Sequence, residues 1–121
     1  MGRPVMIVED DPLQRKMYCD ILRSQSYETI ETGDPRLALD IVLKVSPAAA
    51  VIDIRLPHID GRALIEALRR DARTRSLPIL ALSAVVSHDM AETCLAAGAN
   101  CFFPKPVPLE IFLRMMAQLT A

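Results

Sequence analysis

Val5-Met6-Ile7-Val8-Glu9-Asp10-Asp11-Pro12 passes from four apolar residues through three acids to a proline. Four consecutive apolar residues suit a short strand covered on both faces. Asp11-Pro12 reads as a helix N-cap followed by the first helical position, where proline's missing N–H is no loss, and Gln14 supplies a capping-box partner. Strand, tight acidic turn and helix within so few residues open a βα unit. The remaining sequence repeats the device at a spacing of roughly 25 residues, the rhythm of a parallel sheet with crossover helices.

On this reading strands are expected at 4–8, 27–31, 48–54, 78–83 and 101–104. The first, third and fourth are continuously apolar. The second, Tyr27-Glu28-Thr29-Ile30-Glu31, alternates with polar residues and suits a sheet edge. Asp34-Pro35 repeats the cap-and-proline signal, and Ala38, Ile41, Val42 and Val45 follow at helical spacing. A third helix follows Asp60-Gly61 and buries Leu64, Ala67 and Leu68. Ser87 can cap a fourth, which stops at Gly98. Pro108 starts a fifth, with Leu109, Phe112, Leu113 and Met116 on one face. The expected fold is α/β, a doubly wound five-stranded parallel sheet flanked by five helices. It fills residues 1–121 as one domain and leaves no stretch within them for a separate effector domain.

Composition excludes several classes. With 121 residues and 51% hydrophobic content, the chain can bury a core and is not disordered. A net charge of −1 gives no electrostatic case for non-specific nucleic-acid binding. Aromatics at 4%, with no Trp, argue against a base-stacking platform. The apolar runs fall well short of the roughly 20 residues that span a bilayer. Glu9-Asp10-Asp11 arrives too early for a signal peptide, and Met6 breaks the myristoylation pattern that Met1-Gly2 begins. Cys19, Cys94 and Cys101 are scattered, with no pair at C-x-x-C spacing; free, buried or half-buried thiols in a reducing cytoplasm are expected. His58 and His88 have no ligand-spaced partner and are expected to be solvated. Met17, Met90, Met115 and Met116 are expected to fill core gaps.

Five polar residues remain at the carboxyl ends of apolar strands: Glu9, Asp10, Asp53, Ser83 and Lys105. An open α/β sheet gathers its chemistry at that edge. Three carboxylates brought together there repel one another unless a cation lies between them, and hard oxygen ligands suit Mg²⁺. Asp53 is the only charge in 48–54. Beside a divalent cation it can attack a phosphoryl group and form an acyl phosphate, with Lys105 neutralising the transferred charge and Ser83 donating a hydrogen bond. Blander readings stand beside these. Asp11 serves as a helix cap, Ser83 can satisfy a backbone group, and Lys105, taken alone, can be a solvated lysine. Lys105 lies in Phe103-Pro104-Lys105-Pro106, where the prolines restrict the backbone that aims it, and Lys105–Pro106 is a candidate cis bond.

Val-Glu-Asp-Asp-Pro at 8–12, Asp-Ile-Arg-Leu-Pro-His-Ile-Asp-Gly at 53–61, Leu-Ser-Ala at 82–84, Gly-Ala at 98–99 and Pro-Lys-Pro at 104–106 together resemble the receiver domain of two-component response regulators over essentially the whole chain. The resemblance implies sheet order 2-1-3-4-5, the flavodoxin-like (CheY-like) arrangement. It implies that Asp53 is the phosphoacceptor, that Glu9 and Asp10 are the Mg²⁺-site acids, and that the Arg55 backbone carbonyl is a further ligand. Ser83 then matches the switch hydroxyl, Lys105 the phosphate-pairing lysine, and Ala84 the small residue that leaves room for the phosphoryl group. Phe102 matches the switch aromatic, which is often Tyr; as Phe it has no hydroxyl to bond. Pro104 is a less usual neighbour of the lysine. Arg55 and Val85 stand where family members tune water access. Asp-Ile-Leu-Arg-Ser-Gln-Ser-Tyr-Glu-Thr at 20–29 leans toward single-domain regulators of bacterial cell-cycle phosphorelays.

The resemblance also implies partners: a sensor histidine kinase or histidine phosphotransfer protein as donor, and a downstream protein reading the surface of helix 4, strand 5 and helix 5. The chain is then a cytoplasmic phosphoacceptor signalling domain rather than a turnover enzyme, a monomer or a phosphorylation-dependent homodimer, with no direct nucleic-acid or membrane partner. Gln14, Tyr18 and Leu22 on the first helix are available to dock the donor, although simple packing is an equal reading of Tyr18. A phosphorylation-independent docking module is the rival, disfavoured because a scaffold has no need to assemble uncompensated acids. A flavin carrier is disfavoured because the acidic first loop repels a phosphate. A turnover phosphohydrolase is disfavoured because Asp53-Ile54-Arg55 has no carboxylate two residues after the acceptor.

Overall fold

The computed structural model describes residues 2–85, 87 and 89–121; the expected solvation of His88 lies outside the described residues. Strands β1 (Val5–Val8), β2 (Thr29–Thr32), β3 (Ala49–Asp53), β4 (Ile79–Ser83) and β5 (Cys101–Pro104) alternate with helices α1 (Pro12–Ser24), α2 (Ala38–Val45), α3 (Gly61–Arg70), α4 (Met90–Ala97) and α5 (Leu109–Leu119). All strand pairs are parallel and the order is β2-β1-β3-β4-β5. The polar second strand is therefore at the edge, as its alternation implied.

Strand periodicity divides the core in two. Met6, Val8, Ala50, Ile52, Ile79 and Ala81 face Val42 of α2, Leu64, Ile65 and Leu68 of α3, and Cys94 of α4. Val5, Ile7, Ala49, Val51, Leu80 and Leu82 face Tyr18, Cys19 and Leu22 of α1 and Phe112 and Met116 of α5. β1, β3 and β4 are buried at every position. Among the described residues no helix is long and apolar enough to cross a membrane.

The helix punctuation works largely as expected, and the differences are local; Ala67, expected in the core, is half-buried. Asp11 caps α1 through Leu13 N–H at 3.0 Å, and Asp60 caps α3 through Arg62 N–H at 2.8 Å. Asp34-Pro35 opens a 3-10 turn at Pro35–Leu37, and α2 starts only after it. β2 begins at Thr29 instead of Tyr27, because the Tyr27 N–H is spent closing α1 on Leu22 O at 3.0 Å. Asp89, not Ser87, precedes α4; Ser87 donates its hydroxyl to Asp89 Oδ1 and offers its backbone carbonyl to Met90 N–H. Leu109 and Met17 are exposed rather than packed, whereas Met90 and Met116 are buried. Cys19 and Cys94 are buried and Cys101 half-buried, all free. His58 is exposed.

Candidate functional site

Register places four of the five sequence-selected residues at one edge. Val8 pairs with Ile52, Asp53 with Leu82, and Ser83 with Pro104, so the ends of β1, β3, β4 and β5 lie side by side. The ladder continues past the strands: Glu9 N–H donates to Thr32 O at 3.1 Å and Lys105 N–H to Ser83 O at 2.8 Å. Glu9 and Lys105 are thereby fixed by main-chain bonds before their side chains meet anything. The Lys105–Pro106 bond is cis.

Carboxylate oxygens of Glu9, Asp10 and Asp53 all lie within 4.8 Å of one another. Glu9 and Asp53 are buried and Asp10 is exposed. The Lys105 ammonium donates to Glu9 Oε1 at 2.6 Å and lies 3.4 Å from Asp53 Oδ2. Burial pushes the Glu9 carboxyl up to about 7; the Lys105 hydrogen bond opposes the rise and the nearby Asp53 adds to it. Burial pulls Lys105 down, but the hydrogen bond to Glu9 and the charges of Asp53 and Glu9 lift it net above the ordinary lysine value. The cluster thus already holds a cation of its own.

Ser83 is fully buried, and its Oγ accepts from Val85 N–H at 3.1 Å. The blander role foreseen for it is thus present in this state. Ala84 is exposed beside the site, and Phe102 is half-buried against the α3–α4 side of the core. Arg55 is exposed, and its N–H donates to Asp53 Oδ1 at 3.3 Å.

Three α1 residues at the site were not singled out for these roles. Gln14 accepts from Lys105 Nζ at 2.7 Å. Arg15 donates from Nη1 to the Glu9 carbonyl at 2.8 Å and from Nε to Glu31 at 3.0 Å, tying the acidic turn to the edge strand. The Tyr18 ring lies 6.0 Å from the Lys105 ammonium, within cation–π reach. The available signal was helical spacing: Gln14 and Tyr18 are i and i+4 on a helix that starts at the acidic turn, so one face of it looks onto the strand ends. Gln14, Met17, Tyr18, Ile21, Ala84, Lys105, Val107 and Phe112 line a groove of about 560 Å³ beside the site.

The all-oxygen donor set fits a hard divalent cation, which takes a few carboxylates and completes its shell with water. The insertion of an ammonium between two of the acids shows that the cluster demands positive charge.

This fold and this edge define a class of protein, and comparison with known proteins agrees. The family model for the response regulator receiver domain matches residues 5–117. The polar-differentiation response regulator DivK of Brucella ovis is 31% identical over 113 residues, covering 93% of this chain and 92% of that one. A putative response regulator from Chloroflexus aurantiacus superposes with a TM-score of 0.93 at 29% identity, covering 99% of this chain and 98% of that one. The receiver domain of a sensor histidine kinase from Pseudomonas aeruginosa, solved with a magnesium ion coordinated in its active site cleft, gives 0.89 at 28% identity, covering 99% and 98%. The chain belongs to the response regulator receiver domain family, and its function lies in two-component signalling, between histidine kinases and downstream partners.

Proposed function

We propose that this receiver domain, spanning 1–121, accepts a phosphoryl group from a phosphohistidine donor onto Asp53 in an Mg²⁺-dependent reaction. The observation that carries the reading is the convergence on Asp53 of two further carboxylates and the Lys105 ammonium at the ends of four adjacent strands. An Asp53 carboxylate oxygen attacks phosphorus, the donor's P–N bond breaks, and the departing imidazole keeps the electron pair. Lys105 is placed to pair with the incoming phosphoryl oxygens. Ser83 uses its oxygen as acceptor toward Val85, so its O–H remains for donation to the phosphoryl group. Glu9, Asp10 and Asp53, with the Arg55 backbone carbonyl, would hold Mg²⁺, which when bound neutralises charge on the phosphoryl oxygens.

Acceptance adds negative charge where Lys105 and Ser83 can follow it. Movement of the loop after β4 leaves space that Phe102 fills, and the surface of α4, β5 and α5 repacks for a downstream protein, a two-state population shift driven by a local charge event. Ala84 leaves room for the phosphoryl group. The donor is a sensor histidine kinase or histidine phosphotransfer protein, and the setting is the cytoplasm. The chain acts as a monomer or pairs on phosphorylation, and its only catalysis is of its own phosphorylation and dephosphorylation.

Intact-mass spectrometry after incubation with Mg²⁺ and acetyl phosphate tests this. Wild type should gain a phosphoryl mass and Asp53→Asn should not. Equal labelling of both would remove Asp53 from its role. If neither is labelled and a beryllofluoride mimic also fails to bind, a phosphorylation-independent docking module becomes the better reading.

A further inference from the structure

Among the described residues Gln14 is the one uncharged acceptor of the Lys105 ammonium. Its amide Nε2 donates to Asp11 Oδ2 at 3.1 Å, while the other Asp11 oxygen caps α1 through Leu13 N–H. Its Oε1 accepts from Lys105 Nζ at 2.7 Å. The two neighbours fix the amide's orientation, because reversing it would set NH₂ against ammonium and carbonyl against carboxylate. Asp11, Gln14, Lys105 and Glu9 therefore form a continuous hydrogen-bonded chain from the cap of α1 into the acid cluster.

The three oxygen neighbours of the ammonium, two hydrogen-bond acceptors and the Asp53 carboxylate as an ion-pair partner, are not equivalent. Glu9 at 2.6 Å and Asp53 at 3.4 Å belong to the carboxylate set that suits a divalent cation, and the Gln14 amide does not. A cation arriving among the acids competes with Lys105 for Glu9 and leaves the Gln14 bond intact. The Lys105 side chain is only 10% exposed, so water is a poor substitute partner.

We propose that Gln14 is a positioning residue: it holds the Lys105 ammonium beside Asp53 when a divalent cation takes Glu9, and so lets cation and lysine occupy the site together. This rests on the phosphoacceptor reading above, but its first test does not require phosphoryl transfer.

That test is an Mg²⁺ titration followed by tyrosine fluorescence or amide NMR shifts, on wild type, Gln14→Met, Lys105→Met and the double variant. Met keeps the length of the side chain and removes the acceptor. Gln14→Met should weaken Mg²⁺ binding about tenfold, the order expected for one hydrogen bond to a charged group. Lys105→Met should tighten it, since a competitor is gone. In the Lys105→Met background Gln14→Met should have no further effect, which a purely structural role in α1 could not produce. Equal weakening in both backgrounds, or none in either, overturns the inference. At saturating Mg²⁺, Gln14→Met should also accept phosphoryl groups more slowly with little change in the half-saturating acetyl phosphate concentration. If wild type binds Mg²⁺ with the expected coupling but never gains a phosphoryl mass, the acceptor reading falls and the Gln14 assignment stands. If wild type is labelled and the coupling is zero, the reverse holds.

Discussion

The Lys105 ammonium and the Glu9 carboxylate form a 2.6 Å ion pair in which the two side chains are 10% and 2% exposed. Glu9 is the more deeply buried, and burial raises its carboxyl toward neutrality. Removing the partner of a buried charge costs about 3–5 kcal/mol, because the remaining charge is left uncompensated. Lys105→Met should therefore lower the cation-free stability at pH 8 by about 3 kcal/mol, and Mg²⁺ should restore part of it. Urea midpoints with and without Mg²⁺ measure both effects. An unchanged midpoint in the absence of metal would mean that Glu9 is neutral or solvated.

Mg²⁺ should stabilise the wild-type fold by linkage, about 2.7 kcal/mol at a hundredfold excess over its dissociation constant. Asp53→Asn and Asp10→Asn each remove one carboxylate charge from the cluster and should reduce the gain. Asp20→Asn should not, since Asp20 pairs with Lys16 on the exposed face of α1, away from the cluster. Thermal melts at matched ionic strength separate specific binding from screening.

Gly61 is required by close approach. A Cβ there would lie 2.6 Å from both the Asp53 carbonyl oxygen and the Ile54 Cα, and both are backbone atoms that cannot turn aside. Gly61 N–H also donates to Ile54 O at 2.8 Å. Gly61→Ala should cost about 1–3 kcal/mol, as overpacking does. It should slow phosphoryl acceptance as well, because the displaced segment carries Asp53. Gly2→Ala, where a Cβ meets nothing within 4 Å, is the control. Folding stability and acceptance rate should fall together in Gly61→Ala alone.

The sequence made the candidate site legible wherever one of its residues was also a break in an apolar run. Asp53 and Ser83 end their strands and Glu9 and Lys105 directly follow theirs, and parallel strands bring those ends to one edge whatever the side-chain details. Asp11-Pro12 likewise announced α1, whereas Asp34-Pro35, which reads as the start of a helix, opens a 3-10 turn and α2 begins only after it. What could not be read depended on orientation within a helix or on competition for one backbone group. Gln14 reads as a capping-box partner, but its side chain bonds Asp11 Oδ2 and Lys105, 91 residues away in the chain, while the Asp11 N–H goes to Glu9 Oε2. Tyr27 has the pattern of a strand residue, but its N–H closes α1. Leu109 fits the apolar stripe of α5 yet is 55% exposed, because it lies at the rim of the groove that α5 shares with α1.

Arg69 fastens α3 to the turn between α4 and β5. It donates to the carbonyls of Gly98, Arg75 and Leu77 and to Asn100 Oδ1, all at 2.7 to 2.9 Å. Asn100 Oδ1 also receives Ile79 N–H at 2.7 Å, so the fork braces the start of β4 too. Gly98 has a φ of 122°, and a Cβ there would lie 2.5 Å from Arg69 Cγ, so the contact needs glycine on one side and arginine on the other. Arg69→Met keeps the stem and removes four hydrogen bonds; with each hydrogen bond to a charged group worth about 1.5–3 kcal/mol and partial replacement by water, a loss of about 3 kcal/mol is expected. Arg69→Lys should rescue little, since one ammonium cannot reproduce the planar fork. Urea denaturation of the two variants measures the difference.

Burial, with the hydrogen bond to Glu31 adding to it, pushes the Cys19 thiol up to about 11 from the usual value of 9.0. The sign of the consequence is definite. The folded protein holds the thiol proton more tightly than the unfolded chain, so Cys19 contributes stability that is complete below pH 9 and is lost as pH rises from 9 toward 11. Cys19→Ala removes that dependence, and its stability relative to wild type should improve across the same interval, read from urea midpoints at each pH. The same shift keeps the thiolate fraction small, so the native protein should react slowly with a thiol reagent at pH 8 and rapidly once unfolded in urea. Prompt modification of Cys19 in the native state would show that the α1–β2 packing opens far more readily than its burial indicates.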